Sequence, residues 1–354
     1  MYSFWADEAY ISGIAARLVL GKLSLFQALA APGVTYQKLN MLTVAASFRL
    51  FGISEFTARL PSIMIYMVGI AVMFLLAKRL SNVYGGVVAT FLYTFSHLNL
   101  AYATQAKPYI ALEVITLMIV YLIDLKAQRG VWTFAKQVTI IVLLTIAFFL
   151  HYIGLFLWIL YGVHLLTTIR LTNIKKITLT PLAIGVCILV VPILYVFIKE
   201  VAPIVIYNIV PQRMFAFNHL YQSVKLFAYK YTFITASAAC GYMWVARRDI
   251  KRHIPMLVFA LALFASASFT IYIFNIRYVL PLFGILFLYF GIFWGRVGER
   301  VNVQTLKRWN VRGDIVVPII VLIIVYITGY KTVRWPQAYY NPNIDKYGDV
   351  QIAN

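Results

Sequence analysis

Residues 136–170 read KQVTIIVLLTIAFFLHYIGLFLWILYGVHLLTTIR, with no carboxylate, lysine or arginine between Lys136 and Arg170. A helix needs about 20 mostly apolar residues to cross the hydrocarbon core of a bilayer. This run is longer than one crossing requires and is interrupted only at His151, Tyr152 and Gly154. It reads as two spanning helices, 136–150 and 152–170, joined by a tight hairpin at His151.

Working outward from the hairpin, the same test finds spans at 60–79, 83–100, 108–125, 178–198, 226–246, 254–273, 278–295 and 314–330. The composition of the whole chain agrees. Of its 354 residues 62% are hydrophobic and 12% charged, whereas a soluble domain is about half apolar and about a quarter charged. A soluble enzyme, a disordered chain and a collagen-like or disulfide-rich scaffold are thereby excluded. Cys187 and Cys240 each lie in an apolar run, read as packing residues, and offer no metal-binding spacing. The expected fold is all-α: a polytopic membrane protein of about ten transmembrane helices, with juxtamembrane helices in its first outer loop.

The net charge of +20 is one signature of nucleic-acid binding, but its distribution points to membrane orientation instead. More than half of the 31 Lys and Arg fall in 78–82, 126–136, 170–177, 247–253 and 296–313, and cytoplasmic loops concentrate these residues. We therefore expect no nucleic-acid partner and place the chain in the cell membrane. Residues 1–59 form an extracytoplasmic acidic loop, 60–330 a transmembrane domain and 331–354 a short extracytoplasmic tail. The turns at 97–108, His151 and Asn275–Arg277, and the loop 199–225, share that outer face. The apolar stretch 38–51 is too short to cross and is expected to lie along the outer leaflet. Met1 falls outside with no span before it, so a first spanning helix is expected upstream.

The candidate functional residues gather at the outer face. In Ser3-Phe-Trp-Ala-Asp-Glu-Ala-Tyr10 two of the 11 carboxylates are adjacent. Asp7 and Glu8 suit a general base toward a bound hydroxyl, or ligands for a divalent cation; they suit equally a helix cap and its first turn. Arg59 lies at the mouth of the span 60–79, before Pro61, with Glu55 four residues earlier; a phosphate contact and an interfacial ion pair fit it alike. In Tyr102-Ala-Thr-Gln-Ala-Lys-Pro-Tyr109, Gln105, Lys107 and Tyr109 share one turn. Glu113, four residues further, is a carboxylate inside the hydrocarbon zone, where ionisable groups are costly; it is either functional or the buried partner of Lys107 or another helix. Arg277 and His151 read as site residues or, respectively, as a snorkelling anchor and a structural hydrogen-bonder.

The ordered set Asp7-Glu-Ala-Tyr, Gly52-x-Ser-Glu-Phe-x-x-Arg-Leu-Pro-Ser, Tyr102-x-x-Gln-x-Lys-Pro-Tyr and Arg277-Tyr-Val-Leu-Pro resembles the GT-C superfamily of membrane glycosyltransferases. Within it, the chain is similar to the branch of the protein O-mannosyltransferases and the lipid A aminoarabinose transferase. The resemblance implies transfer of a sugar from a dolichyl- or undecaprenyl-phosphate donor to an acceptor hydroxyl, extracytoplasmically and with inversion. It implies Asp7 as general base with Glu8 in support. It also implies Arg59, Gln105, Lys107, Tyr109 and Arg277 as donor contacts, with Glu113 and His151 as further candidates. No cofactor is required by it; a divalent cation at Asp7 and Glu8 is a candidate. The implied partners are the polyprenyl-phosphate donor, the bilayer and a glycan, lipid or protein acceptor. Lys107 stands where many relatives carry arginine, a point charge in place of a bidentate fork. A transporter or flippase of lipid-linked sugars is the alternative, but it predicts a twofold repeat with polar helix breaks at mid-bilayer, and the sequence has no such repeat.

Overall fold

The structure, a computed structural model, describes residues 6–31, 34, 37–129, 134–168, 224–225, 227–228, 231–269 and 276–304. Among the described residues every element is helical. The expected spans 178–198 and 314–330, most of the loop 199–225 and the tail 331–354 lie outside the described residues.

Three helices precede the long ones: α1 (Ala6–Val19), α2 (Leu25–Ala30) and α3 (Lys38–Phe51). Ile11, Ile14 and Ala15 of α1, Ala28 of α2 and Met41, Val44, Ala45 and Phe48 of α3 form a small core. Ala58 and Ala106 from the following elements close it. The segment 38–51 is therefore a helix of about the expected extent with one face packed on protein. Its opposite edge, at Leu50 and Phe51, is exposed.

α4 (Glu55–Leu80) is the longest helix of the described chain. It starts earlier than Pro61 suggests, because Ser54 caps it reciprocally with Thr57. Pro61 then sits inside the helix, where it cannot donate to the carbonyl of Thr57, four residues back. The buried Ser47 hydroxyl of α3 donates to that carbonyl at 2.6 Å instead. A tertiary hydrogen bond thus replaces the helical one that proline removes.

α5 (Val83–Phe95) is capped by Asn82, and α6 (His97–Ala103) by Ser96. The expected single span 83–100 is thus divided: Ser96, in an extended conformation, ends one helix and caps the next. The turn 104–108 leads into α7 (Tyr109–Arg129). The hairpin read from 136–170 is present as α8 (Phe134–Leu150), a short 3-10 turn (Tyr152–Leu155) and α9 (Phe156–Thr168). His151 caps the turn, its Nδ1 accepting from the N–H of Ile153 at 3.3 Å. Gly154 approaches Ala147 so closely that a Cβ would lie 2.3 Å from its carbonyl, so a larger residue is excluded.

α10 (Thr232–Ala246), α11 (Ile250–Phe269), a 3-10 turn (Ile276–Val279) and α12 (Leu280–Gln304) complete the described fold. The main core runs through α4, α5, α7, α8, α9, α10, α11 and α12. α12 crosses α5 at close range, because Gly85 and Ala89 face Gly291 and Gly295; small residues let membrane helices approach in this way. Among the described residues, Glu55–Leu80 and Leu280–Arg300 are by themselves long and apolar enough to cross a bilayer, and Val83–Phe95, Ala135–Leu150, Tyr152–Thr167 and Thr232–Ala246 are apolar but shorter.

Candidate active site

The sequence-predicted residues converge where α1, α4 and the turn 104–108 meet. Glu8, in the first turns of α1, is completely buried, and Arg59, in the second turn of α4, is 18% exposed. Arg59 Nε donates to Glu8 Oε1 at 2.8 Å and its Nη2 to Oε2 at 3.3 Å. Glu8 Oε1 also accepts the backbone N–H of Ala106 at 2.8 Å. One carboxylate thus joins three elements that are far apart in sequence. The pairing of Arg59 with Glu55 expected from their spacing exists at 3.9 Å, but Glu8 makes the closer, two-pronged contact.

This arrangement bears on the candidate cation site. Both oxygens of Glu8 are engaged, and the Arg59 guanidinium beside them supplies the positive charge that a divalent cation would bring. Among the described residues no group of three or more His, Cys, Asp or Glu side chains comes together in a way that could hold a metal. Asp7 lies in the first turn of α1, and its side chain is outside what the structure describes; so is that of Arg277, in the 3-10 turn Ile276–Val279.

The turn 104–108 is held from several sides. Beyond Glu8, the buried Asn40 of α3 donates through Nδ2 to the Ala106 carbonyl at 3.1 Å. Ser62 of α4 donates to the Lys107 carbonyl at 3.4 Å. Lys107 is 6% exposed, a low value for an amine of its kind, while Gln105 is partly exposed.

Tyr109, at the start of α7, belongs to a group of rings. Its centroid lies 5.8 Å from Tyr102, 5.4 Å from His151 and 5.9 Å from Tyr278. His151 in turn stands 4.4 Å from Tyr152 and 5.9 Å from Tyr278. The hairpin turn, the start of α7 and the 3-10 turn before α12 therefore meet. Since Tyr278 follows Arg277 directly, the backbone of Arg277 belongs to the same neighbourhood. Such rings combine an apolar face with a polar edge, which suits the border of water and hydrocarbon.

Glu113, one turn inward from Tyr109, is fully buried. A Cβ on Gly284 of α12 would lie 3.0 Å from its Oε1, so the carboxyl is packed directly on the α12 backbone. Of the partners expected for it, Lys107 makes no ion pair with it among the described residues, whereas another helix, α12, meets it at Gly284. Glu8, Arg59, Lys107, Tyr109 and His151 are thus gathered at one end of the helices, and Glu113 lies a turn deeper. Sequence reasoning did not single out Asn40 or Tyr278. Tyr278 stood inside a quoted motif, and Asn40 was an amide within a mostly apolar stretch.

Comparison with known proteins extends the reading. Residues 40–196 match the family described as dolichyl-phosphate-mannose-protein mannosyltransferase. The fold is similar to that of ArnT from Cupriavidus metallidurans, bound to undecaprenyl phosphate, with a TM-score of 0.61 and 16% identity over 86% of this chain and 58% of that one. For the same protein in the apo state the TM-score is 0.61 and the identity 15%, over 86% and 56% of the two chains. The chain therefore spans somewhat more than half the length of the ArnT chains. No curated protein sequence matches it. By its motifs, by the family match over 40–196 and by its fold, the chain resembles the GT-C superfamily of membrane glycosyltransferases, in the branch of the protein O-mannosyltransferases and the lipid A aminoarabinose transferase, and its architecture is that of a multi-pass membrane protein.

Proposed function

We propose that the chain transfers a sugar from a polyprenyl-phosphate donor to an acceptor hydroxyl on the extracytoplasmic side of the membrane, with inversion at the sugar carbon. The observation that carries the reading is the convergence of Glu8, Arg59, Lys107 and Tyr109 at one end of the helices. The family match over 40–196 and the fold shared with a protein bound to undecaprenyl phosphate support the choice of donor.

In this proposal residues 1–59 are the outer loop that carries the base, 60–330 the transmembrane domain and 331–354 an outer tail. Asp7 removes the proton from the acceptor hydroxyl as the hydroxyl oxygen attacks the sugar carbon. The bond from that carbon to the phosphate oxygen breaks on the opposite face, and the polyprenyl phosphate leaves with both bonding electrons. Lys107 and Arg277 stabilise the charge that develops on the phosphate, with Gln105 and Tyr109 beside it; cations already in place do this best where water is sparse. Arg59 acts mainly through Glu8, holding α1 in place so that the neighbouring Asp7 is presented to the acceptor. His151 and the rings around Tyr109 form the wall of the donor site, and Glu113 lies behind it. Holding both reactants at the membrane plane adds the gain of orientation.

The test is a transfer assay with purified protein, a labelled polyprenyl-phosphate sugar and cell-envelope extract. Asp7→Asn is expected to reduce transfer by about 10²–10⁴-fold, the usual contribution of a positioned base, with accumulation and membrane insertion unchanged. Undiminished transfer by this variant would remove Asp7 from the mechanism.

A further inference from the structure

Ala106 is held through both of its backbone polar groups, one in the peptide before it and one in the peptide after it. Its N–H donates to Glu8 of α1 at 2.8 Å, and its carbonyl accepts from Asn40 of α3 at 3.1 Å. Both partners are buried, Glu8 completely and Asn40 at 5% exposure. The turn between α6 and α7 is not helical, so its peptide groups lack the partners a helix would give them. Their orientation is set by tertiary hydrogen bonds, and the residue that follows is Lys107. Asn40 is otherwise out of place. It sits on the buried face of α3 beside Met41 and Val44, where an aliphatic side chain would bury more apolar surface, and a buried amide is costly unless bonded.

We propose that Asn40 is a positioning residue for donor binding, fixing the Ala106–Lys107 peptide so that the Lys107 cation stands where the donor phosphate arrives. The inference rests on the reading that Lys107 contacts that phosphate. A lysine has a long, flexible stem with much rotamer freedom, so its precision depends on a buried stem and a fixed backbone. Glu8 fixes the peptide before Ala106 and Asn40 the peptide after it, the one that leads into Lys107. Without the Asn40 donor the Ala106 carbonyl is left buried and unsatisfied, and the turn relaxes to find another partner.

The test measures binding of undecaprenyl phosphate to the purified full chain in detergent, for the unaltered protein, Asn40→Ala, Asn40→Asp, Lys107→Ala and the double variant Asn40→Ala/Lys107→Ala. Asn40→Asp keeps the shape but replaces the donating amide with an acceptor. Both single changes at Asn40 are expected to raise Kd about tenfold, which corresponds to about 1.4 kcal/mol. The double variant should bind no more weakly than Lys107→Ala, because residues acting through one group are not additive. Additive losses in the double variant, or unaltered binding by Asn40→Asp, would overturn the proposal; if Asn40→Ala fails to accumulate, the cycle is read with Asn40→Asp and the double variant Asn40→Asp/Lys107→Ala. Weak binding by Lys107→Ala with additive loss at Asn40 would leave the proposed function standing and sink only the positioning role. If undecaprenyl phosphate does not bind the unaltered chain, the donor reading itself falls, and the inference with it.

Discussion

The two ends of α4 carry the same device with different consequences. At one end Arg59 grips the buried Glu8; at the other, Arg79 Nε bonds Asp124 Oδ2 at 2.5 Å, with Asp124 only 1% exposed. Arg252 of α11 contacts the other oxygen of Asp124. Asp124 therefore sits between two arginines and ties together three helices, α4, α7 and α11. Glu8 meets one two-pronged arginine contact and uses an oxygen to hold a backbone N–H in a turn. Both neutralise a buried charge, which would be costly alone. Asp124 fixes helices that apolar packing already brings together, whereas Glu8 fixes a non-helical turn that packing alone would leave undetermined. Ionic clamps of similar chemistry thus serve as a staple in one place and as the frame of the candidate site in the other.

That contrast can be broken by experiment, beginning with the largest effect expected. Glu8→Gln keeps the shape but removes the charge from the bidentate pair. Transfer is expected to fall about hundredfold, since breaking a buried pair costs about 3–5 kcal/mol, part of it felt as displacement of the turn. If kcat/KM stays within about twofold while only Tm falls, the Glu8–Arg59 pair is a staple like that at Asp124.

Asp124→Ala is the matching change at the C-terminal end of α4. Arg79 and Arg252 then face one another without their carboxylate, but both are about a fifth exposed and can turn toward water. A Tm lower by several degrees, with kcat/KM near that of the unaltered protein, is the expected result. A loss of activity as large as that of Glu8→Gln, at unchanged Tm, would show that the clamp at Asp124 communicates with the candidate site.

The smallest effect sharpens how the N-terminal end of α4 is built. Ser47→Ala leaves the Thr57 carbonyl unsatisfied beside Pro61 and should cost about 1–3 kcal/mol in unfolding measurements. In a Pro61→Ala background residue 61 regains an N–H for that carbonyl, so the same change should cost much less. Equal costs in both backgrounds would mean that Ser47 is not standing in for the helical bond.

Much of this was legible in the sequence, for identifiable reasons. Apolar run length forces a membrane fold, because a backbone in hydrocarbon must satisfy its polar groups internally. The break at His151, Tyr152 and Gly154 located a turn, since a capping side chain and a residue without Cβ are local requirements. The reading of 83–100 as one helix missed the division at Ser96, because hydropathy does not sense a short capped break. Pro61 was read as a helix start, whereas the capping pair Ser54 and Thr57 opens α4 one and a half turns earlier.

The sequence by itself determined that the chain is helical and membrane-embedded, which loops carry the basic excess, and which few charged residues lie near one face. Those follow from composition and period, which are local properties. Only the tertiary structure decided that Arg59 pairs with Glu8 more closely than with its neighbour Glu55, that Glu8 and Asn40 hold the two peptides on either side of Ala106, and that Tyr109, His151 and Tyr278 meet. Hydrogen bonds between residues 51, 66 and 98 positions apart, and ring contacts between residues as distant as Tyr109 and Tyr278, depend on how the helices pack, and spacing along a chain carries no direct record of that.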